Sequence, residues 1–431
     1  MSLLTSLSTA TSGLQANSLE LTVIGDNIAN ANTIGFKQGR AAFEDALAQQ
    51  LIGLAGGGQL GLGTRLQAIQ RLITQGAMSQ TSNATDLAIQ GSGYFLLKGN
   101  HSGLQGSFYT RDGQFTVNKD GYLVNLEGLR VQGYQATNNV VQGTLGDLQV
   151  GTASASAKAT ATVSIKGNLA ADTAVSAVAF NPADPINTSS AKPTTVEVYD
   201  SLGQAHSVAV YYQKTAAGSW DFHAITDGGG ITGSTAGTPV EIATGTLTFD
   251  AQGNLVTSTQ TNNFNPVGAI NPQALTFNFG DPTGTGGTGS LGITQLGGSQ
   301  SATTFTGQDG SGYGSLSSVQ INDKGEVLGA FSNGSTRILG QVAVANFEAP
   351  DKLERLGGNL AIESTGSGQP TVGEPATGGR GSIVTGALEQ SNVDLANEFV
   401  RMIAAQRGFQ ANSKTIQTAD GLLSELMQLK R

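Results

Sequence analysis

Apolar residues at the start of the chain fall in steps of four and three. Leu3, Leu7, Ala10, Leu14, Leu21, Ile24, Ile28 and Ala31 share one stripe, interrupted by a single polar residue, Asn17. That spacing is the period of a coiled-coil seam, in which one polar position sets register at some cost in stability. It predicts a helix over residues 1–31. The end of the chain repeats the pattern. Leu395, Met402, Phe409, Ile416 and Leu423 recur every seventh residue, flanked at the same period by Ala405, Asn412, Ala419 and Leu426. Asn392 or Asp394 is placed to cap this second helix, and the carboxylate would also suit the helix dipole.

The flanks of the first stripe are Ser, Thr, Ala and Asn rather than Glu and Lys, with only Glu20 and Asp26 charged, whereas Arg401, Arg407 and Lys414 lie on the second helix. Small uncharged flanks suit a helix packed on several sides. Ser, Thr and Asn are poor helix interiors, and each seam Leu or Ile gains roughly 1.5–3 kcal/mol only when buried. The two ends are therefore expected to order on assembly and to be disordered in a dilute monomer. Two matched ends also imply a chain that goes out and comes back, each layer built from an early and a late segment.

The first stripe stops in IGDNIANANTIGFKQG, residues 24–39. Gly25 and Gly35 give the chain freedom to turn there. Asn27, Asn30 and Asn32 can satisfy backbone groups freed where a helix ends. Lys37 is the first basic residue of the chain, and the sequence leaves open whether Lys37 or Arg40 meets an acid across an interface.

From about residue 71 the period changes to two. FTVNKDGYLV (115–124) and VQINDKGEVLGAF (319–331) read as hairpins, with Asx and Gly supplying the turns. LGQVAVANF (339–347) continues as a strand. TTVEVYD (194–200) and HSVAVYYQK (206–214) form a further hairpin, followed by strands at 219–225, 244–250 and 274–279. The fold class is multidomain, with a coiled-coil-like inner domain of terminal α-helices and mainly antiparallel β domains nested by insertion. The expected division is an inner helical domain at 1–31 and 389–431 and a linking region at 32–70 and 366–388. A β domain occupies 71–145 and 305–365, with an inserted outer β domain at 146–304.

Composition narrows the function classes. Charged residues make up 12% of the 431, glycine numbers 61, and the net charge is -9. The scarcity of Lys and Arg argues against nucleic-acid binding, and few charges would ease the stacking of many copies. There is no cysteine, which excludes disulfides, thiolate metal sites and a Cys nucleophile. No apolar run is long enough to span a bilayer, and no basic n-region of a cleavable signal peptide precedes Lys37.

No catalytic, metal or cofactor-binding constellation stands out. GGGQLG (56–61) matches G-x-G-x-x-G, but the next residues, GTRLQAIQR, are ambiguous between strand and helix, so a loop is the better reading. Asp200, Ser201 and His206 are triad types, yet they lie on one hairpin without a nucleophile elbow. The histidines, His101, His206 and His223, are scattered, and the Asp-Gly pairs lack EF-hand spacing.

NIANANTIGFK (27–37) resembles the signature of the bacterial flagellar rod and hook family. SNATDLAIQGSGYFLL (82–97) resembles a downstream segment of it, and residues 386–420, with SNVDL leading, resemble its C-terminal helix. VYDSLGQAHSVAVYY (198–212) and ILGQVAVANFEAPDKLERLGGN (338–359) are similar to the hook branch. The distal rod branch, the alternative, is shorter and lacks the inserted domain.

The resemblance implies a non-enzymatic structural subunit. Such a subunit is exported unfolded through the flagellar type III apparatus to an extracellular position. It assembles with itself under a cap into a curved helical tube, which joins rod to filament and acts as a universal joint transmitting torque. Implied partners are other copies of the chain, the rod, the hook cap, the hook–filament junction proteins and the export apparatus, with no nucleic acid, no membrane insertion and no cofactor. The subunit-packing seam is expected at Leu7, Leu14, Leu21, Ile24, Ile28, Leu395, Met402, Phe409, Ile416 and Leu423. The motif residues are Asn27, Asn30, Asn32, Gly35, Phe36, Lys37, Ser391, Asn392 and Asp394.

Overall fold

The structure, a computed structural model, describes residues 3–46, 49–50 and 59–429. Two compact units divide the chain. The first takes 1–153, 318–329 and 337–431, and the second takes 154–317 and 330–336.

In the first unit the terminal segments are helices, Leu3–Ala29 and Leu395–Leu429. They pack on each other and run antiparallel. A methyl group placed on Gly13 would come within 2.6 Å of the Asn412 amide nitrogen, and one on Gly408 within 2.7 Å of the Asn17 amide oxygen. Asn27 donates to Glu398 at 3.0 Å. An advance along one helix is thus a retreat along the other. Each glycine accommodates an asparagine of the opposite helix, so the two backbones approach closely.

A hairpin of Gly39–Asp45 with Thr64–Arg71 lies against the N-terminal helix. This makes GTRLQAIQR a strand. Most of the GGGQLG glycines lie outside the described residues, and its Gln59–Leu60 pairs with Gln49–Gln50. The stretch 366–388, expected as linker, supplies strands instead. Thr371–Gly373 pairs with Val344–Asn346, and Ser382–Thr385 pairs with Leu87–Gln90. Ala387–Glu389 comes next, paired with Met78–Gln80.

The Phe115–Val117/Leu123–Asn125 hairpin turns through Asn118, whose side-chain oxygen accepts from the amides of Asp120 and Tyr122. Gly121 there takes a φ of 81°, where only glycine is unstrained.

The second unit is a sandwich. A five-stranded antiparallel meander runs Thr194–Tyr199, Ala205–Ala216, Ser219–Asp227, Pro239–Phe249, Leu255–Asn262. The second sheet centres on Thr162–Asn168, parallel to Thr276–Asn278 and Ile293–Thr294 and antiparallel to Ala302–Gln308. Trp220, Phe222, Phe277 and Phe279 fill the core with Val163, Ile165, Val208 and Val210. These residues alternate along their strands with half-buried or exposed Ser207, Asp221, Thr276 and Asn278, the pattern of strands with one face buried. The expected insertion, 146–304, differs at both borders. Val140–Asp147 pairs with Arg130–Thr137 in the first unit, and Ala302–Gln308 belongs to the second. A period of two continues through each border and does not say which sheet a strand joins.

Candidate functional site

The residues of the helix exit gather around one acid that no sequence pattern marked, Glu389. It ends the strand Ala387–Glu389 and is fully buried. Its carboxylate receives the Lys37 ammonium at 2.6 Å, the Arg111 guanidinium at 2.9 Å and the Gly76 amide at 2.8 Å. Its carbonyl accepts from the Gly35 amide at 2.7 Å. Lys37 also donates to the Thr74 carbonyl at 2.7 Å, and Arg111 to the carbonyls of Ile89 and Gly91.

Burial lowers the Lys37 pKa, while the hydrogen bond and charge of Glu389 oppose that shift. The open question about Lys37 is answered inside the chain: its acid is Glu389, not one across an interface. Arg40 donates to Gln70 at 2.6 Å, again within the chain. Phe36 is buried too, under the Arg355 guanidinium 4.9 Å from its ring centre. Phe36 and Lys37 are thus both spent within the chain.

Gly35 makes this approach possible. Its φ is 70°, and a side-chain carbon there would lie 2.7 Å from the Arg111 carbonyl carbon. The asparagines have separate tasks. Asn27, buried, exchanges two 2.8 Å hydrogen bonds with the backbone of Gly39 and donates to Glu398. Asn30 donates to the carbonyl and carboxylate of Asp26, closing the last helical turn, and accepts from Thr33. Asn32 is exposed.

Asn392 is not the helix cap. Its oxygen accepts from the Gln38 amide at 2.7 Å, and its nitrogen donates to the Leu72 carbonyl at 2.8 Å. The cap is Asp394, accepting from the amides of Ala396 and Asn397. Ser391 accepts from the Val393 amide. Glu398, also fully buried, accepts from Asn27, Gln38 and Arg401. The two acids thus tie the exit of one helix, the start of the other and the strands between them into one joint.

The seam residues divide. Ile24 is buried, and Leu7, Leu14, Leu21, Ile28, Met402, Ile416 and Leu423 are half-buried. Leu395 and Phe409 remain 42% and 40% exposed, joined by Phe399, Val400, Ile403 and Leu422. The buried line of the C-terminal helix is Glu398, Ala405 and Ala419, with Asn412 against Gly13. Of the flanking set, Leu426 lies outside the side chains described. The helix therefore spends its small line within the chain and leaves large apolar residues uncovered.

The triad types do not form a triad. His206 meets Asp200 at 3.2 Å, but the Ser201 hydroxyl accepts from the Ile270 amide, and Asp200 organises its own turn. His101 pairs with Glu127 and His223 with Glu241.

Four family models cover successive parts of the chain. They are the flagella basal body rod protein (residues 7–37), the flagellar hook protein FlgE/F/G D1 domain (88–171), the flagellar basal body protein FlaE D2 domain (168–311) and the flagellar basal body rod FlgEFG protein C-terminal (384–429). The flagellar hook protein FlgE of Escherichia coli K12 is 36% identical over 98% of this chain and 99% of its own. The chain belongs to the flagellar hook protein family.

Hook proteins of Salmonella typhimurium and Borreliella burgdorferi are likewise each 36% identical over 99% of this chain. The likeness to the crystal structure of Helicobacter pylori flagellar hook protein FlgE2 is lower, with a TM-score of 0.46 and 15% identity over 72% of this chain and 99% of that one. Membership makes the protein a structural hook subunit, and the distal rod alternative is not favoured. Among the described residues no helix is long and apolar enough to cross a membrane.

Proposed function

We propose that the chain polymerises with itself into the curved flexible tube of the hook, a universal joint between rod and filament. The terminal helices form its coiled-coil-like inner layer, and the 154–317 sandwich its adaptable exterior. The observation that carries this reading is the set of uncovered apolar side chains Leu395, Phe399, Ile403 and Phe409, on a helix whose small-residue line is already occupied. A soluble monomer gains nothing from six exposed large side chains on one helix, whereas contact with further copies would bury them. Torsional stiffness then comes from tightly packed helices. Bending comes from a sandwich that is complete by itself and poor in ion pairs, so that its contacts change cheaply.

The rod, the hook cap, the hook–filament junction proteins, the type III export apparatus and an extracellular location are parts of this reading. Electron microscopy of the purified chain tests it. Wild-type protein is expected to form curved tubes, and Phe409→Asp to remain monomeric with an unchanged β fold. Straight tubes from the wild type would favour a rod, and normal tubes from the variant would refute the inner-layer assignment.

A further inference from the structure

Inside the first unit, a cavity of about 40 Å³ is walled by Phe36, Arg71, Tyr94, Tyr109, Arg111 and Arg355. Its cations are unevenly matched. Lys37 and Arg111 share Glu389, and Arg355 reaches Asp26 at 3.3 Å. Asp351, whose charge reaches Tyr94, is paired with Lys352, and Asp112 accepts from the Gln114 amide. Among the described residues, no carboxylate contacts the half-buried Arg71; burial and the nearby Arg355 charge lower its pKa. The Tyr94 hydroxyl and Arg111 Nε are both buried without a hydrogen-bond partner. Burying a polar group unpaired is costly enough that native structures rarely do so.

We propose that this cavity takes a carboxylate side chain from an adjacent copy of the chain, held by Arg71 and the Tyr94 hydroxyl. Arginine's planar fork is suited to a carboxylate, and the cavity, little larger than the ~30 Å³ share of one water, admits such a tip but no sugar or nucleotide. The donor is at hand, because the chain carries 31 acids against 22 bases, and Arg71 is the cation of this cavity that meets no acid of its own among the described residues. The inference rests on the polymerising hook reading.

The test is the critical concentration for polymerisation of the full-length chain. Arg71→Gln is expected to raise it about tenfold, as for loss of one charge-assisted hydrogen bond, with monomer melting unchanged. Arg71→Lys should recover part of the loss, and Tyr94→Phe should shift it in the same direction by less. Unchanged polymerisation of Arg71→Gln overturns the proposal.

If Arg71→Gln lowers monomer melting, a side-chain-resolution map of the wild-type polymer decides. A carboxylate of another copy within ~3.5 Å of Arg71 supports the proposal, and solvent or own-chain atoms overturn it. Saturable phosphate or acetate binding to the wild-type monomer, with that ion persisting in the polymer, would assign the cavity to a free anion and overturn it too. A wild-type chain that does not polymerise removes the hook reading itself.

Discussion

The helix pair and the sandwich of the second unit bury their apolar residues in opposite ways. The sandwich closes its core on itself: Trp220 and Phe222 are fully buried between its two sheets, although Phe305 on the Ala302–Gln308 strand is 50% exposed. The helix pair spends alanine, glycine and asparagine on its internal contact and leaves Phe399, Ile403 and Phe409 in solvent. A complete core makes a module that can slide against neighbours, whereas an incomplete one makes a module whose stability is borrowed from assembly.

The comparison breaks most directly at Phe409. Phe409→Asp should abolish tube formation, raising the critical concentration more than about a hundredfold, the equivalent of about 3 kcal/mol. Monomer melting should move far less than polymerisation, since the side chain is 40% exposed within the chain. A monomer destabilised as much as the polymer would erase the distinction. Phe222→Ala should do the reverse, costing the second unit about 3–5 kcal/mol by denaturant unfolding while tubes still form.

Glu389→Ala falls between these regions. It leaves Lys37 and Arg111 buried without their acid and should cost the first unit about 3–5 kcal/mol, read as a lower melting temperature, with the second unit unaffected. Asp394→Ala removes only the cap and should cost about 1 kcal/mol. The critical concentration for polymerisation would register that as a rise of about fivefold. Hydrogen exchange sharpens the contrast: in a proven monomer the terminal helices should exchange far faster than Trp220 and its strand neighbours. Equal protection would mean that the intrachain helix pair is stable without copies.

Much of this was legible along the chain. The seven-residue recurrence from Leu395 to Leu423 and the Asn118–Gly121 turn arise from local periodicity and turn chemistry, and each became the element expected. The asparagines after Ile24 mark the helix exit because their side chains satisfy backbone groups there. Glu389 was not legible as the centre of the joint. It sits at the end of a short strand with no pattern around it, and its partners lie 278 and 352 residues away. The only available signal was its being an acid beside the SNVDL motif in a chain of few charges. The insertion borders were hidden for a related reason, because alternation reads the same in either sheet.

The sequence by itself determined that both ends are helical, which of the expected strands alternate buried and exposed positions, where the 115–124 hairpin turns, and that no thiol chemistry operates. Those properties depend on neighbours a few residues apart. Only the tertiary structure decided which heptad line of the C-terminal helix faces its own chain. It chose Ala405, Asn412 and Ala419 over Leu395 and Phe409 because Gly13 and Gly408 let two backbones approach where larger side chains would hold them apart. It also turned Lys37 inward to Glu389, since charge pairing acts through space and leaves no periodic trace in the chain.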